Sequence, residues 1–209
     1  MANHAVLTAD IVNSTRLKVA REKKLTTRLR EIFTQRGARL EFYRGDSFQA
    51  YTKNAGEALR MALLCRTAAI ALDRDEPILG SDLRISIGIG AVQHPLKELK
   101  TGKGEAFVLS GRKFDELPEL NLRIAITSNN LLANEGFSII AAYVDNIFRA
   151  MTGKQAEVIF GLLNGDLQKQ VARKLKKTES TIHQLLKSGR WQEIEKLLKQ
   201  YENIINLLV

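Results

Sequence analysis

Residues 83–91, LRISIGIGA, decide the fold, because apolar and small side chains alternate along them. Three isoleucines lie on one face of this segment, and Ser86, Gly88 and Gly90 lie on the other. A period of two residues predicts a β-strand. The face without bulky side chains allows a helix or a ligand to approach the strand backbone closely.

The segments before this strand predict a regular order of elements. They are a strand over 4–9 that ends at Asp10, a helix over 14–34 with Ser14 as its N-cap, strands over 39–43 and 48–52 around a turn of Arg44, Gly45 and Asp46, and a helix over 55–72 that ends before Pro77. The order β-α-β-β-α-β is that of the ferredoxin-like fold. We therefore predict that the first and third strands are central neighbours.

Further segments complete two predicted units. The strand over 83–91 is followed by a predicted helix over 106–117, a strand over 122–127 and a helical region over 131–150. The remaining residues have helical periodicity only. We predict an α+β fold, with a ferredoxin-like domain over 1–150 and an all-α module over 151–209.

Composition and charge limit the class of protein and its partners. The 209 residues are 44% hydrophobic and 26% charged, as in soluble globular proteins, and no apolar run is long enough for a membrane helix. We therefore expect a cytoplasmic protein without a membrane partner. The net charge of +9 favours an acidic partner such as nucleic acid, although a solvated basic surface has the same composition. Cys65 lies in an apolar helical segment and is predicted to be a buried thiol.

Two carboxylates are predicted to meet at one edge of the sheet. Asp10 ends the first strand, and Asp46 lies in the turn before the third strand. If those strands are neighbours, both side chains can bind Mg²⁺, which takes one or two carboxylates and completes its shell with water and phosphate. The alternative is structural: Asp10 caps the first helix and Asp46 only forms the turn.

Four segments, taken together, resemble a known family. They are ADIVNSTR at 9–16, RGDSFQAY at 44–51, LRISIGIGAV at 83–92 and GEAFVLSGRKFDEL at 104–117. In this order they resemble the nucleotide cyclase-like superfamily, that of class III adenylate and guanylate cyclases, and within it most closely the SatD-like bacterial proteins. The resemblance covers nearly the whole predicted first domain.

The resemblance implies a purine nucleotide site that uses Mg²⁺. It implies the following roles: metal binding by Asp10, by Asp46 and by the backbone carbonyl of Ile11; phosphate binding by the backbone N–H groups of Asn13, Ser14 and Thr15; and, if the protein is active, transition-state stabilisation by Arg112. Two positions depart from the family pattern. Phe42 replaces the base-recognising lysine, and Val108 replaces an asparagine that positions the ribose. Because neither side chain can form those hydrogen bonds, we predict nucleotide binding without ordinary cyclase activity.

The segment over 151–194 resembles the helix-turn-helix of sigma-factor and LuxR-type regulators. Predicted helices cover 153–163, 167–175 and 178–187, with Ala156, Ile159, Leu163, Val171, Ala172, Leu175, Ile182 and Leu185 facing inward. The third helix would be the recognition helix in the major groove of duplex DNA.

The predicted DNA contacts are of two kinds. Residues predicted to neutralise phosphates are Lys169, Arg173, Lys174, Lys176 and Lys177. Residues predicted on the exposed faces of the recognition helix are Ser180, Thr181, His183, Gln184 and Lys187. The alternative is a three-helix protein-binding module with solvated basic residues. An amphipathic helix beyond Trp191 packs on this module or pairs with a second copy, as in a homodimer.

These observations favour a bacterial DNA-binding regulator whose degenerate cyclase-like domain binds a nucleotide with Mg²⁺ and modulates DNA binding. Two alternatives remain open. One is an active nucleotide cyclase or nucleotidyltransferase that makes a cyclic nucleotide, and the other is a catalytically inactive dimerisation scaffold.

Overall fold

A computed structural model describes residues 4–43, 45–74 and 80–208, with the backbone alone at residue 74. The strands are β1 (His4–Val12), β2 (Arg39–Tyr43), β3 (Ser47–Thr52), β4 (Asp82–Gly90) and β5 (Ile124–Thr127). The helices are α1 (Val19–Gln35), α2 (Ala58–Ile70), α3 (Glu105–Glu116), α4 (Leu131–Arg149), α5 (Gly153–Leu163), α6 (Gln168–Leu175), α7 (Glu179–Ser188) and α8 (Trp191–Leu207). Arg44 of the predicted turn and Pro77 lie outside the described residues.

The five strands form one sheet with the order β2-β3-β1-β4-β5. All neighbouring pairs are antiparallel except β4 and β5, which are parallel. β1 therefore lies at the centre, between β3 and β4. The prediction of a mixed α+β protein is confirmed. No helix in the described part of the chain is long and apolar enough to cross a membrane.

The two faces of the sheet are covered differently. Ala5, Leu7 and Ala9 of β1 belong to the large apolar core that includes residues of α1 and α2, whereas Val6 packs in a second cluster with residues of α3. The small residues of β4 account for the close approach of α3. A Cβ added at Gly88 would lie 2.3 Å from the backbone oxygen of Ala106. A helix, and not a ligand, therefore covers this part of the strand.

The start of α1 differs from the sequence prediction. β1 continues past Asp10 to Val12, and the helix begins at Val19. Between them, Asn13 has a left-handed backbone (φ 58°) and Ser14–Arg16 forms a single 3₁₀ turn. Ser14 is therefore not the N-cap of α1, because the chain must reverse from β1 before the helix can pack on the sheet.

The helices after residue 150 share one apolar core with the preceding elements. Ala156, Ile159, Leu163, Val171, Ala172 and Ile182 are buried as predicted, whereas Leu175 is half-buried. In α7, Leu185 is half-buried and packs against the core, whereas the fully buried position is Leu186, four residues after Ile182. The large core contains residues from both predicted domains. The boundary at 150 therefore remains a prediction.

A buried charge network joins α2, β4 and α4. The Arg66 side chain is fully buried; its Nε and Nη2 donate to the two carboxylate oxygens of Asp82 at 2.9 and 2.7 Å, and its Nη1 lies 2.9 Å from Oδ1 of Asp145. Arg123 and Arg149 bind the same two carboxylates from the surface, each at 2.8 Å. Burial disfavours the charged guanidinium, but the two aspartates outweigh this effect and raise the pKa of Arg66.

Candidate functional site

The two predicted metal-binding residues occupy neighbouring positions, Asp10 in β1 and Asp46 in the turn directly before β3. Asp10 of β1 is the register partner of Ser47 in β3, which directly follows Asp46. The backbone N–H of Ile11 donates to the carbonyl of Asp46 at 3.1 Å, which extends the strand pairing into the turn. The antiparallel pairing of β1 with β3 thus brings Asp10 and Asp46 together, whereas the capping role considered for Asp10 does not occur.

A turn beside these carboxylates holds the three predicted phosphate contacts. The Ser14 hydroxyl donates to Oδ2 of Asp46 at 2.7 Å, and the Asn13 side chain donates to the carbonyl of Gly80 at 3.4 Å. Thr15 is exposed in the same 3₁₀ turn. These residues therefore lie next to the carboxylates, but they are not at the N-terminus of an α-helix.

Arg84 is a site residue that the sequence analysis missed. It is the register partner of Asp10 in β4, and one edge of its guanidinium donates to both carboxylate oxygens, Nε to Oδ1 at 3.0 Å and Nη2 to Oδ2 at 2.5 Å. The hydrogen bond to Asp10 raises the pKa of Arg84, and the charge of Asp46 adds to this effect. The site therefore combines two carboxylates with one fixed cation. An arginine between Leu83 and Ile85, in the apolar part of this strand, was the signal that could have identified it.

The two departures from the cyclase pattern lie in different places. The Phe42 ring packs 5.5 Å from the ring of Phe48, and the guanidinium of Arg30 lies 4.7 Å above it. Phe42 therefore belongs to the core on the sheet face opposite Asp10. Val108 is 47% exposed on α3.

Arg112 is also exposed on α3, and no acidic side chain in the described residues forms an ion pair with it. The structure does not bring Arg112 into contact with the carboxylates.

A row of polar side chains crosses the sheet on the same face as Asp10. Tyr43 donates from its hydroxyl to Oε1 of Gln49 at 3.1 Å, and Gln49 donates from Nε2 to the hydroxyl of Thr8 at 3.5 Å. Thr8 in turn lies 3.0 Å from the Ser110 hydroxyl of α3. Burial raises the pKa of Tyr43 to about 12, so this hydroxyl remains a donor at neutral pH. The hairpin therefore offers hydrogen-bonding groups at positions that the family comparison did not identify.

The donor set fits Mg²⁺ better than a transition metal. Within the described residues, no three His, Cys, Asp or Glu side chains form a cluster that could hold a metal ion. Two carboxylates and a backbone carbonyl are hard oxygen ligands, and Mg²⁺ commonly takes no more from the protein because water and phosphate supply the rest.

The predicted DNA-binding residues lie on α6, on the turn that follows it and on α7. The exposed ones are Lys169, Arg173, Lys174, Lys176, Ser180, His183, Gln184 and Lys187, whereas Lys177 and Thr181 are half-buried. Lys174 is already paired with both carboxylate oxygens of Asp166 at 2.7 Å. Lys176, at φ 51°, ends α6 in a left-handed conformation. The exposed side of α7 is therefore polar and faces away from the rest of the described chain.

Comparison with solved structures finds cyclase domains that cover just over half of the chain. A bacterial light-regulated adenylyl cyclase has a TM-score of 0.44 and 17% identity, over 60% of this chain and 43% of that one, so the present chain spans less than half of that relative. An adenylate/guanylate cyclase/hydrolase from Silicibacter pomeroyi has a TM-score of 0.43 and 28% identity, over 54% of this chain and 69% of that one. The adenylyl cyclase CyaB from P. aeruginosa gives 0.40 and 17%, over 54% and 71%.

All of these TM-scores lie below 0.5. No family model and no curated protein matches the chain. A function for this chain therefore has to be inferred from its own residues.

Proposed function

We propose that this protein is a DNA-binding regulator, with α5–α7 as a helix-turn-helix of the sigma-factor and LuxR type. The observation that carries the proposal is the polar, exposed side of α7. Ser180, His183, Gln184 and Lys187 recur there at intervals of three, one and three residues, which places them on one side of a helix. The opposite side is held in the core by Ile182 and Leu186. A helix with one exposed polar side is suited to the major groove of duplex DNA.

Cations beside α7 complete this proposed interface. Lys169, Arg173 and Lys176 are exposed on α6 and at its end, without an ion-pair partner among the described residues. They are free to neutralise phosphates, whereas Lys174 would first have to leave Asp166. The helix N-terminus of α7, capped by the Thr178 side chain, adds a partial positive charge on the same side.

We further infer that the sheet and α1–α3 form a ferredoxin-like, nucleotide cyclase-like domain, closest to the SatD-like proteins. Asp10, Asp46 and the carbonyl of Ile11 would hold Mg²⁺, and bound Mg²⁺ would neutralise the phosphates of a purine nucleotide. Arg84 supplies a second positive charge from β4. Ser14 orients the Asp46 carboxylate through its 2.7 Å hydrogen bond. The bound nucleotide would then modulate DNA binding.

Cyclase activity is the alternative, and two observations count against it. Phe42 is committed to the core beside Phe48, so it cannot recognise a base on the other face. Val108 offers no hydrogen bond to a ribose. We therefore propose binding without rapid turnover. Formation of a cyclic nucleotide from a triphosphate, followed by chromatography, would favour the alternative.

DNA binding is tested with two single substitutions in the full-length protein. We expect Gln184→Ala to change the preference among sequences, with a loss of about 1–3 kcal/mol for the preferred base pair. Lys176→Ala should weaken binding to all sequences alike and reduce the slope of log affinity against log salt by about 0.9. Fluorescence anisotropy with selected and scrambled duplexes measures both effects.

Lys199→Ala is the control, because this exposed lysine lies on α8, outside the proposed interface. A selection from random duplexes that enriches no motif, or affinities that do not depend on salt, would contradict the proposed recognition by α7.

Nucleotide binding is tested by thermal unfolding. With Mg²⁺ and a purine triphosphate at about 100 times the dissociation constant, the folded state gains about 2.7 kcal/mol, and the melting temperature should rise by about 5 °C or more. Asp46→Asn should abolish this rise, because it removes a metal ligand. Asp115→Asn, an exposed aspartate on α3, is the matched control. An equal rise for all three proteins would show that the site is elsewhere.

A further inference from the structure

We propose that a groove between α1, α5 and α6 binds a small amphiphilic anion, with an apolar or aromatic body and an acidic group. The groove has a volume of about 750 Å³. Small-molecule sites usually occupy about 300–1,000 Å³ and often lie where two structural units meet. This site is separate from the sheet edge that carries Asp10 and from the exposed side of α7, and it goes beyond the proposed function.

The inner surface of the groove is apolar. The buried side chains of Leu25 and Ile32 of α1 and of Val171 of α6 line it. Phe160 of α5 and Leu72 also line it. Phe160 is half-buried, so part of its ring remains accessible to a ligand. An apolar body would therefore gain by the removal of its surface from water.

The mouth of the groove carries unneutralised positive charge. Lys23 and Lys24 are exposed on α1 and line the groove, and neither forms an ion pair within the described residues. The other cations at this mouth are already engaged. Arg28 lies 3.5 Å from Glu31 and 4.3 Å above the Phe160 ring.

The acidic residues at the mouth cannot neutralise these two lysines. Asp166 is bound by Lys174, Glu31 is bound by Arg28, and Glu157 has an interaction of its own. The charge at the mouth that has no ion-pair partner among the described residues is therefore the positive charge of Lys23 and Lys24. An acidic group on the ligand would therefore be attracted to the side where Lys23 and Lys24 lie.

The groove lies between elements that lead to each of the two proposed sites. α1 follows the turn that holds Ser14 beside Asp46, and α6 precedes the proposed recognition helix. Few direct contacts join α1 to α5 and α6 across the groove. In one of them, the Arg36 guanidinium, just after α1, donates to Oδ1 of Asn164 at 3.3 Å. A ligand that fills the groove would connect α1 to α6.

The test uses the fluorescent anion 8-anilinonaphthalene-1-sulfonate and the full-length protein. We expect saturable binding of one probe per chain. Thr27→Trp, which replaces an exposed groove residue by a bulky one, should weaken binding at least about 10-fold. Lys23→Glu with Lys24→Glu should also weaken binding at least about 10-fold, because it reverses the charge at the mouth.

Matched variants and a neutral probe separate the possible outcomes. Lys196→Glu with Lys199→Glu makes the same charge change on α8, outside the groove, and should leave binding unchanged. N-phenyl-1-naphthylamine, which has a similar body without the sulfonate, should bind at least about 10-fold more weakly. If Thr27→Trp fails to fold, Ala20→Trp replaces it, because Ala20 is also exposed and lines the groove.

Three results would overturn the proposal. The first is that the anion does not bind, and the second is that it binds equally well to the tryptophan variant, which would place the probe elsewhere, such as on the exposed Leu131 and Leu132. The third is equal affinity for the charged and neutral probes, which would remove the acidic group from the ligand class.

Discussion

Substitution of Arg66 by methionine should lower the free energy of unfolding by about 3–5 kcal/mol. The substitution leaves the carboxylates of Asp82 and Asp145 buried without the cation that lies between them. Arg123 and Arg149 still reach these carboxylates, but only from the partly exposed side. Urea unfolding of the full-length protein, followed by circular dichroism, measures the loss.

Arg60→Met is the control on the same helix. Arg60 is also an arginine with acidic neighbours, Glu57 and Glu202, but its side chain is 28% exposed. Because exposed ion pairs contribute little, its loss should cost less than about 1 kcal/mol. Addition of Asp82→Asn and Asp145→Asn to Arg66→Met should recover part of the stability. A cost for Arg66→Met no larger than that for Arg60→Met would show that the buried pair is not needed.

Gly88→Ala should lower the free energy of unfolding by about 3 kcal/mol, at or above the upper end of the usual cost of overpacking. The added Cβ would lie 2.3 Å from the Ala106 carbonyl oxygen and 2.5 Å from the Ser110 nitrogen. Both are backbone atoms of α3, so the clash cannot be relieved by a change of rotamer. The helix would have to move away from β4 as a unit.

Gly111→Ala is the matched control for this prediction. Gly111 lies on α3 itself, and its added Cβ would meet no atom within 4 Å. Alanine favours a helix over glycine, so this variant should gain about 0.5–1 kcal/mol. Differential scanning calorimetry of both variants gives the comparison. If Gly88→Ala and Gly111→Ala lowered the free energy of unfolding by the same amount, the clash between β4 and α3 would not be the cause.

The sequence predicted those features that depend on short-range patterns. Alternation of isoleucine with small residues located β4, and the turn around Asp46 located the hairpin. The neighbouring positions of Asp10 and Asp46 also followed, because they need only the pairing of β1 with β3.

Features that depend on strand register were not predictable from one sequence. Arg84 meets Asp10 only because β1 and β4 pair in one particular register, and a shift by one residue would turn it to the other face. Register also places Phe42, whose partner is Phe48, on the sheet face opposite Asp10. Arg66 left a different signal, since a charged residue within an apolar helix indicates a buried partner. Its partners lie in β4 and α4, too far along the chain for a local pattern to reveal them.

The shared core also constrains the order in which the protein can assemble during synthesis. α8 is made after every element on which it packs, and domains near the N-terminus generally fold first. Until α8 docks, the Phe137 ring lacks its neighbour Tyr201, 5.6 Å away, and the Ala55 carbonyl lacks the hydrogen bond from the Tyr201 hydroxyl. A nascent chain that stops before Trp191 would therefore expose apolar surface on both α2 and α4, which would make it a substrate for chaperones and proteases.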